Sequence, residues 1–115
     1  MKQRNRWRSR RTLSGGVGYR ICRRIYRAAV RAVDPRAATI RALQRSGDTL
    51  VIGDATFDLA AVGNLYVIGF GKAAAAMAQG VEAVLGDRLT AGCVVTKYGH
   101  ALPTARIAVR EAAHP

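Results

Sequence analysis

The amino-acid sequence predicts an α/β fold in which a parallel sheet is flanked by helices. Residues 65–68 form a short, continuous apolar run, which is typical of a strand buried on both faces. Residues 72–85 follow as an alanine-rich helical pattern, and residues 92–96 form a second apolar run. A strand, a helix and a strand in this order predict a parallel pair joined by a right-handed crossover.

Two helices are predicted before this unit. Residues 19–33 place apolar side chains at steps of four with arginines on the other face, which indicates an amphipathic helix. Asp34 and Pro35 are typical of the N-cap and first position of a second helix, and Gly47 is expected to end it.

Further strands are predicted on both sides of the central unit. Residues 49–58 are typical of a hairpin that turns at Gly53 and Asp54. Ile107 and Val109 alternate with Arg106, Ala108 and Arg110. This pattern predicts a third strand of the parallel sheet over residues 107–109, nearer an edge. No closing helix follows up to Pro115, so we expect the sheet to be incomplete at the C-terminal end.

The sequence also predicts how the third helix and the two cysteines pack. The third helix is expected to carry Met77, Val81, Val84 and Leu85 on one face, and its run of alanines lets it approach a sheet closely. The two cysteines, Cys22 and Cys93, form no CxxC or Cys/His cluster and are expected to fill the core. Their spacing argues for a reducing compartment and against a disulfide scaffold or a metal site.

The net charge of +12 is concentrated at the front of the chain. Residues 1–46 hold 14 basic residues and one acid, whereas residues 47–115 hold five basic and six acidic residues. Residues 1–18 contain few apolar side chains, so they predict a basic disordered extension to a folded region over residues 19–115. Such an extension is either an arm that binds nucleic acid or a membrane surface, or a solvated segment without a partner. No apolar run is long enough to span a bilayer.

A glycine-rich junction between the first parallel strand and the third helix carries the clearest chemical signal. Gly69 and Gly71 precede Lys72 where backbone N–H groups and the positive end of a helix favour anions. A lysine in the first helical turn opposes the helix dipole at a cost of roughly 0.3–1 kcal/mol. Lys72 therefore either holds a phosphate or carboxylate, or is a surface lysine that extends into water.

Lys97 and His100 follow the next strand. Because parallel strands end on the same side of a sheet, both residues are expected on the same rim as Lys72. Cations near free backbone N–H groups suit an anionic substrate or a transferring phosphoryl group. The alternative is that Lys97 and His100 are solvated loop residues. His114, taken alone, is expected to be a frayed terminal residue.

The glycine-rich junction fits neither of two nucleotide-binding motifs completely. It lacks the first glycine and the hydroxyl residue of a Walker A loop. Gly69, Gly71 and Ala74 match a dinucleotide-binding fingerprint, but the next strand ends in Thr96 and Lys97 rather than in an acid. An NADP-dependent oxidoreductase therefore stays open as an alternative, with NADP favoured over NAD.

Beyond these patterns, the chain resembles a known family over about residues 20–115. The segments are NLYVIGFGKAAAAMA, GHALP and EAAHP, preceded by AAVRAVDPRAATIRAL and LVIGDATFDLAAV. Together they resemble the N-terminal part of glycerate 2-kinases.

The resemblance implies a cytoplasmic, two-domain α/β enzyme with a Rossmann-like N-terminal domain. Such an enzyme phosphorylates the 2-hydroxyl of glycerate from ATP with Mg²⁺, in the cleft between its domains. Lys72 would bind phosphate or the glycerate carboxylate, and Gly69 and Gly71 would form the turn beside it. Three further positions fall in segments that line the cleft: Lys97, His100 and His114.

The resemblance also implies that a second domain is missing from this chain. We therefore expect little or no kinase activity from the chain alone, and apolar sheet surfaces that favour association. The arginine-rich residues 1–18 have no counterpart in the family, so a small basic nucleic-acid-binding module is the alternative function. No membrane partner is expected.

Overall fold

The computed structural model describes residues 16–113, and the chain divides between residues 32 and 33 into two compact units. The described part of the first unit is one helix, α1 (Val17–Ala32). The second unit contains the remaining elements: α2 (Pro35–Ala42), β1 (Leu43–Ser46), β2 (Thr49–Ile52), β3 (Ala55–Asp58), a 3-10 turn (Leu59–Ala61), β4 (Tyr66–Phe70), α3 (Ala74–Leu85), β5 (Ala91–Lys97) and β6 (Ile107–Ala112).

Helix α1 confirms the amphipathic helix that was predicted over residues 19–33. None of its residues is buried, and the apolar stripe that contains Ile21 and Ile25 is exposed. The predicted extension over residues 1–18 lies mostly outside the described residues, although Val17 and Gly18 belong to α1. Among the described residues, no helix is long and apolar enough to cross a membrane.

Helix α2 begins as the sequence predicts but ends early. Asp34 is the N-cap, and its Oδ2 accepts a hydrogen bond from the Ala37 N–H at 2.7 Å. The helix stops at Ala42, so the prediction that it runs to Gly47 is wrong. Residues 43–46 instead form β1, because their backbone groups pair with β2 and Leu43 packs against the core.

The second unit contains two sheets of three strands each among the described residues. Strands β1, β2 and β3 form an antiparallel sheet, in which the predicted hairpin is the β2–β3 pair. Strands β4, β5 and β6 form the predicted parallel sheet, with β5 in the centre. Helix α3 joins β4 to β5, whereas a loop over residues 98–106 joins β5 to β6.

Helix α3 packs closely through its small residues, as its run of alanines predicts. Ala74, Ala75 and Ala78 are buried together with Leu85, whereas Met77, which the sequence places on the same apolar face as Leu85, is 48% exposed. Val81 and Val84 are partly buried against the core, in agreement with the prediction. Small side chains face the interior because α3 is packed closely by both the sheet and α2.

Gly80 lies where α2 and α3 approach each other most closely. A Cβ at this position would lie 2.8 Å from the Arg36 carbonyl oxygen and 2.8 Å from the Thr39 Cβ. Real Cβ atoms do not make contacts this short with backbone, so the two helices would have to separate. Helices α2 and α3 can therefore pack this closely only because Gly80 has no side chain.

The opposite face of the parallel sheet is apolar and uncovered among the described residues. Tyr66, Ile68 and Phe70 of β4 are 62%, 89% and 91% exposed. The prediction that this strand is buried on both faces is therefore wrong. Cys93, which pairs with Ile68 in register, is exposed on the same face. Cys22 on α1 is also exposed, so neither cysteine fills the core as predicted.

An ion pair connects the antiparallel sheet to the end of α3. The Arg45 guanidinium donates to both carboxylate oxygens of Asp87, at 2.5 and 2.9 Å, and to the Val84 carbonyl oxygen at 2.9 Å. The hydrogen bond from Arg45 lowers the pKa of Asp87 from 3.8 to about 2. A carboxyl group with a lowered pKa stabilises the fold above its ordinary pKa, and this stabilisation disappears as the pH falls through the lowered value.

The packing at Gly80 predicts that Gly80→Ala destabilises the protein. We expect the free energy of unfolding to fall by about 1–2 kcal/mol, because strain between the helices exceeds the gain in helix propensity. Urea unfolding followed by circular dichroism measures the change. Gly63→Ala is the control, since a Cβ there meets no atom within 4 Å. Equal stabilities of the two variants would contradict the close approach.

The ion pair predicts a pH-dependent effect of Asp87→Asn. The variant is expected to be less stable than the wild type near neutral pH, and the difference is expected to shrink as the pH falls from 3.8 to about 2. Urea unfolding at several pH values measures it, with Asp54→Asn in the exposed hairpin turn as the control. A difference that does not depend on pH would exclude the ion pair as its cause.

The uncovered sheet face predicts self-association of the isolated chain. Ile68→Asp combined with Phe70→Asp is expected to shift the protein toward monomer in sedimentation velocity, because charges oppose burial of this face. Phe57→Asp removes a partly exposed aromatic side chain from the other sheet and serves as the control. Association that is insensitive to the double variant would place the contact elsewhere.

Candidate functional site

A groove of about 450 Å³ lies at the carboxyl end of the parallel sheet, beside the start of α3. One wall is formed by Lys72, Ala73 and Ala76, and the other by residues 99–102, with Pro35 completing the lining. The groove therefore brings together the two predicted anion-binding segments that follow β4 and β5.

The turn after β4 depends on Gly71. Its φ of 121° lies in the region that favours glycine. Its N–H donates to the Val95 carbonyl oxygen at 2.9 Å, and its carbonyl accepts from the Ala74 N–H at 3.0 Å. Gly69, by contrast, lies within β4, where a Cβ would be 3.3 Å from the Val94 Cγ1. Only Gly71 of the two predicted glycines thus shapes the turn.

Lys72 precedes α3 rather than lying in its first turn. Ala73 is the N-cap and Ala74 the first helical residue, so the predicted helix start at residue 72 is wrong. Ala73 makes no side-chain cap, and the Lys72 side chain is exposed at the groove. The buried Thr96 hydroxyl donates to the Lys72 carbonyl oxygen at 3.5 Å and attaches this turn to β5.

His100 lies on a tight turn that starts at the end of β5. The His100 N–H donates to the Lys97 carbonyl oxygen at 3.0 Å, and Gly99 has a φ of 76°. These features define a type II turn, in which the third residue needs a positive φ. His100 thereby lines the same groove as Lys72. Lys97 is partly buried as the last residue of β5 and does not line the groove, and His114 lies outside the described residues.

Glu111 contacts this turn, although the sequence analysis did not select it. Its Oε1 accepts hydrogen bonds from the Gly99 N–H at 2.7 Å and from the Ala101 N–H at 3.4 Å. Glu111 lies on β6 and reaches the turn because β6 is parallel to β5, with Glu111 opposite Thr96. No local signal in the sequence indicates this contact, since it depends on the register between the two strands.

A second carboxylate holds the far end of the same loop. Glu82 on α3 accepts hydrogen bonds from the backbone N–H groups of Ala105, Arg106 and Ile107 at 2.6–3.0 Å. Burial alone would raise the pKa of Glu82, but these hydrogen bonds lower it overall. The loop over residues 98–106 is therefore attached to the fold at both ends.

The groove combines one ammonium group, that of Lys72, with the imidazole of His100 on the opposite wall. Within residues 16–113, no three His, Cys, Asp or Glu side chains are grouped so that they could hold a metal ion. A glycine turn that leads into a helix at the carboxyl ends of parallel strands is the ligand-binding arrangement of open α/β proteins.

Comparison with known proteins gives the family. The chain belongs to the family described as Domain of unknown function (DUF4147), which it matches over residues 21–115. It is 38% identical over 108 residues to a protein of Agrobacterium vitis that carries the name hydroxypyruvate reductase, with 94% of this chain and 22% of that protein covered. It is also 38% identical over 92 residues to a glycerate 2-kinase of Pyrococcus horikoshii, with 80% of this chain and 20% of that protein covered.

A solved structure confirms the fold. A crystal structure of a Pyrococcus horikoshii protein matches with a TM-score of 0.70 and 37% identity, over 84% of this chain and 21% of that one. The resemblance to glycerate 2-kinases and the α/β fold are thus confirmed. The chain spans about a fifth of the length of these relatives.

Proposed function

We propose that this chain is the N-terminal part of a glycerate 2-kinase that transfers a phosphoryl group from ATP to the 2-hydroxyl of glycerate. The observation that carries the proposal is the placement of Lys72 and His100 on one groove at the start of α3. The family membership and the relatives named glycerate kinase support it. In this proposal the enzyme is a phosphotransferase.

Lys72 is the central residue of the proposed site. Its ammonium group neutralises either the glycerate carboxylate or the phosphoryl group in transfer, and the uncapped N–H groups of α3 add donors to the same anion. Gly71 lets the backbone approach closely, and His100 faces the anion from the opposite wall. Gly69, Lys97 and His114 are substrate-binding positions of second rank in this proposal, as the family resemblance implies.

The proposed reaction forms one phosphorus–oxygen bond and breaks another. The 2-oxygen of glycerate bonds to the γ-phosphorus, the bond from that phosphorus to the β–γ bridging oxygen breaks, and the hydroxyl proton is released to a base or solvent. ADP leaves with the bridging oxygen. Mg²⁺, when bound, neutralises charge on the phosphates. Lys72 and His100 in the groove suit a phosphate or carboxylate anion. Residues 16–113 contain no group of three His, Cys, Asp or Glu side chains that could hold the metal ion.

We propose that the complete enzyme also has a second domain, as the family resemblance implies. The relatives are about five times as long as their match to this chain. We propose that this longer polypeptide covers the apolar face of the parallel sheet and completes the cleft. The chain alone is then expected to be inactive. The two unpaired, exposed cysteines are compatible with the proposed cytoplasmic location.

One competing activity is worth a direct test. The name of the Agrobacterium vitis relative refers to reduction of hydroxypyruvate, which would require a dinucleotide. The strand β5 ends in Thr96 and Lys97, where a dinucleotide-binding domain usually has an acid for the ribose.

The relatives reported above offer no support for the alternative nucleic-acid-binding function.

The proposed function predicts the effect of Lys72→Ala in a complete enzyme. A chimera of the Pyrococcus horikoshii glycerate 2-kinase, with its matched stretch replaced by this chain, is expected to form phosphoglycerate from ATP and glycerate. Lys72→Ala is expected to lower kcat/KM by roughly 10²–10³-fold, as is usual when a charge-stabilising donor is lost. Mass spectrometry of the product and a coupled ADP assay measure the reaction.

Lys97→Ala in the same chimera is the matched comparison, because the proposal gives Lys97 a substrate-binding role of second rank. It removes the same type of side chain from the end of the neighbouring strand, outside the groove lining, so a loss below about tenfold is expected. A folded Lys72→Ala chimera with unchanged kcat/KM would contradict the proposal. Oxidation of NADPH with hydroxypyruvate, without phosphoglycerate formation, would favour the reductase instead.

A further inference from the structure

The turn that carries His100 is held by a carboxylate that no functional assignment includes. Glu111 Oε1 accepts from the N–H groups of Gly99 and Ala101, the residues on either side of His100. Gly99, His100 and Ala101 are all exposed, so packing does little to order this segment. Hydrogen bonds to a charged acceptor are about twice as strong as neutral ones, and these two bracket the imidazole.

The rest of the loop is attached independently of Glu111. Glu82 holds the backbone of residues 105–107, and the Gln79 side chain donates to the Pro103 carbonyl oxygen at 2.8 Å. These contacts fix the half of the loop that leads into β6. In the half that carries His100, the Tyr98 N–H donates to the Ala112 carbonyl oxygen at 3.2 Å and the His100 N–H donates to the Lys97 carbonyl oxygen at 3.0 Å. Beyond Tyr98, the hydrogen bonds that attach this half to β6 are the two to Glu111.

We propose that Glu111 is a positioning residue that holds the Gly99–Ala101 turn so that His100 faces Lys72 across the groove. This inference rests on the proposed function, since it takes the groove to be the anion site. The role acts through the backbone, because within residues 16–113 the carboxylate accepts hydrogen bonds from backbone N–H groups and from no side chain. Glu111 is negatively charged, so it would repel an anion if charge alone determined its effect.

The strength of anion binding in two Glu111 variants and the order of residues 99–101 distinguish positioning from the other roles of a carboxylate. If Glu111 positions the turn, Glu111→Gln retains an acceptor oxygen and preserves anion binding, whereas Glu111→Ala weakens it. If its charge dominates, both variants strengthen anion binding. If Glu111 only stabilises the fold, Glu111→Ala lowers global stability, but the folded protein binds the anion as before and the turn stays ordered.

The experiment is nuclear magnetic resonance of the ¹⁵N-labelled chain with inorganic phosphate as the probe. In Glu111→Ala we expect the backbone order parameters of residues 99–101 to fall from about 0.85 to below about 0.6. We also expect phosphate binding, followed through the His100 resonances, to weaken about tenfold, which is about the cost of ordering the backbone of one residue. Glu111→Gln is expected to keep both values close to those of the wild type.

Glu82→Ala is the control, because it removes a carboxylate that bonds to the other end of the same loop. It is expected to loosen residues 105–107 and to leave residues 99–101 ordered. An ordered 99–101 turn in Glu111→Ala, or stronger phosphate binding in both Glu111 variants, would overturn the proposal. Phosphate binding that is absent, or unaffected by Lys72→Ala, would instead contradict the proposed function, while the order parameters would still decide whether Glu111 holds the turn.

Discussion

The carboxyl end of β5 is the point on which the groove depends. This central strand is paired with β4 on one side and with β6 on the other. The Val95 carbonyl oxygen accepts from the Gly71 N–H, and the Thr96 hydroxyl reaches the Lys72 carbonyl oxygen. The turn that carries His100 starts at the end of the same strand. Parallel register therefore brings two segments that are far apart in the sequence to one rim.

The same parallel sheet leaves the described domain with one uncovered face. Helices α2 and α3 belong to one packed layer, in which Gly80 allows their close approach. The outer face, with Ile68 and Phe70 almost fully exposed, has the composition of a protein interior. Parallel sheets are normally covered on both faces, and the chain spans about a fifth of its relatives. The groove and the uncovered face are thus both features of the same three-stranded parallel sheet.

The predictions from the sequence succeeded where a signal is local. The caps of α2 at Asp34 and Pro35, the alternating hairpin and the strand–helix–strand order all depend on residues close together in the chain. The prediction failed for residues 43–46, which have a helical pattern but pair with β2. It also failed for Cys93, because a pattern shows that a side chain is apolar but not which neighbour covers it.

By itself, the sequence determined the fold class, the family resemblance and the segments that carry Lys72 and His100, because these follow from residue type and spacing. Tertiary structure decided that Lys72 lies before the helix, that Lys97 stays outside the groove and that Glu111 holds the His100 turn. The physical reason is the register of β6 beside β5. A shift by one residue would turn Glu111 to the other face of the sheet, and no local pattern in the sequence specifies that register.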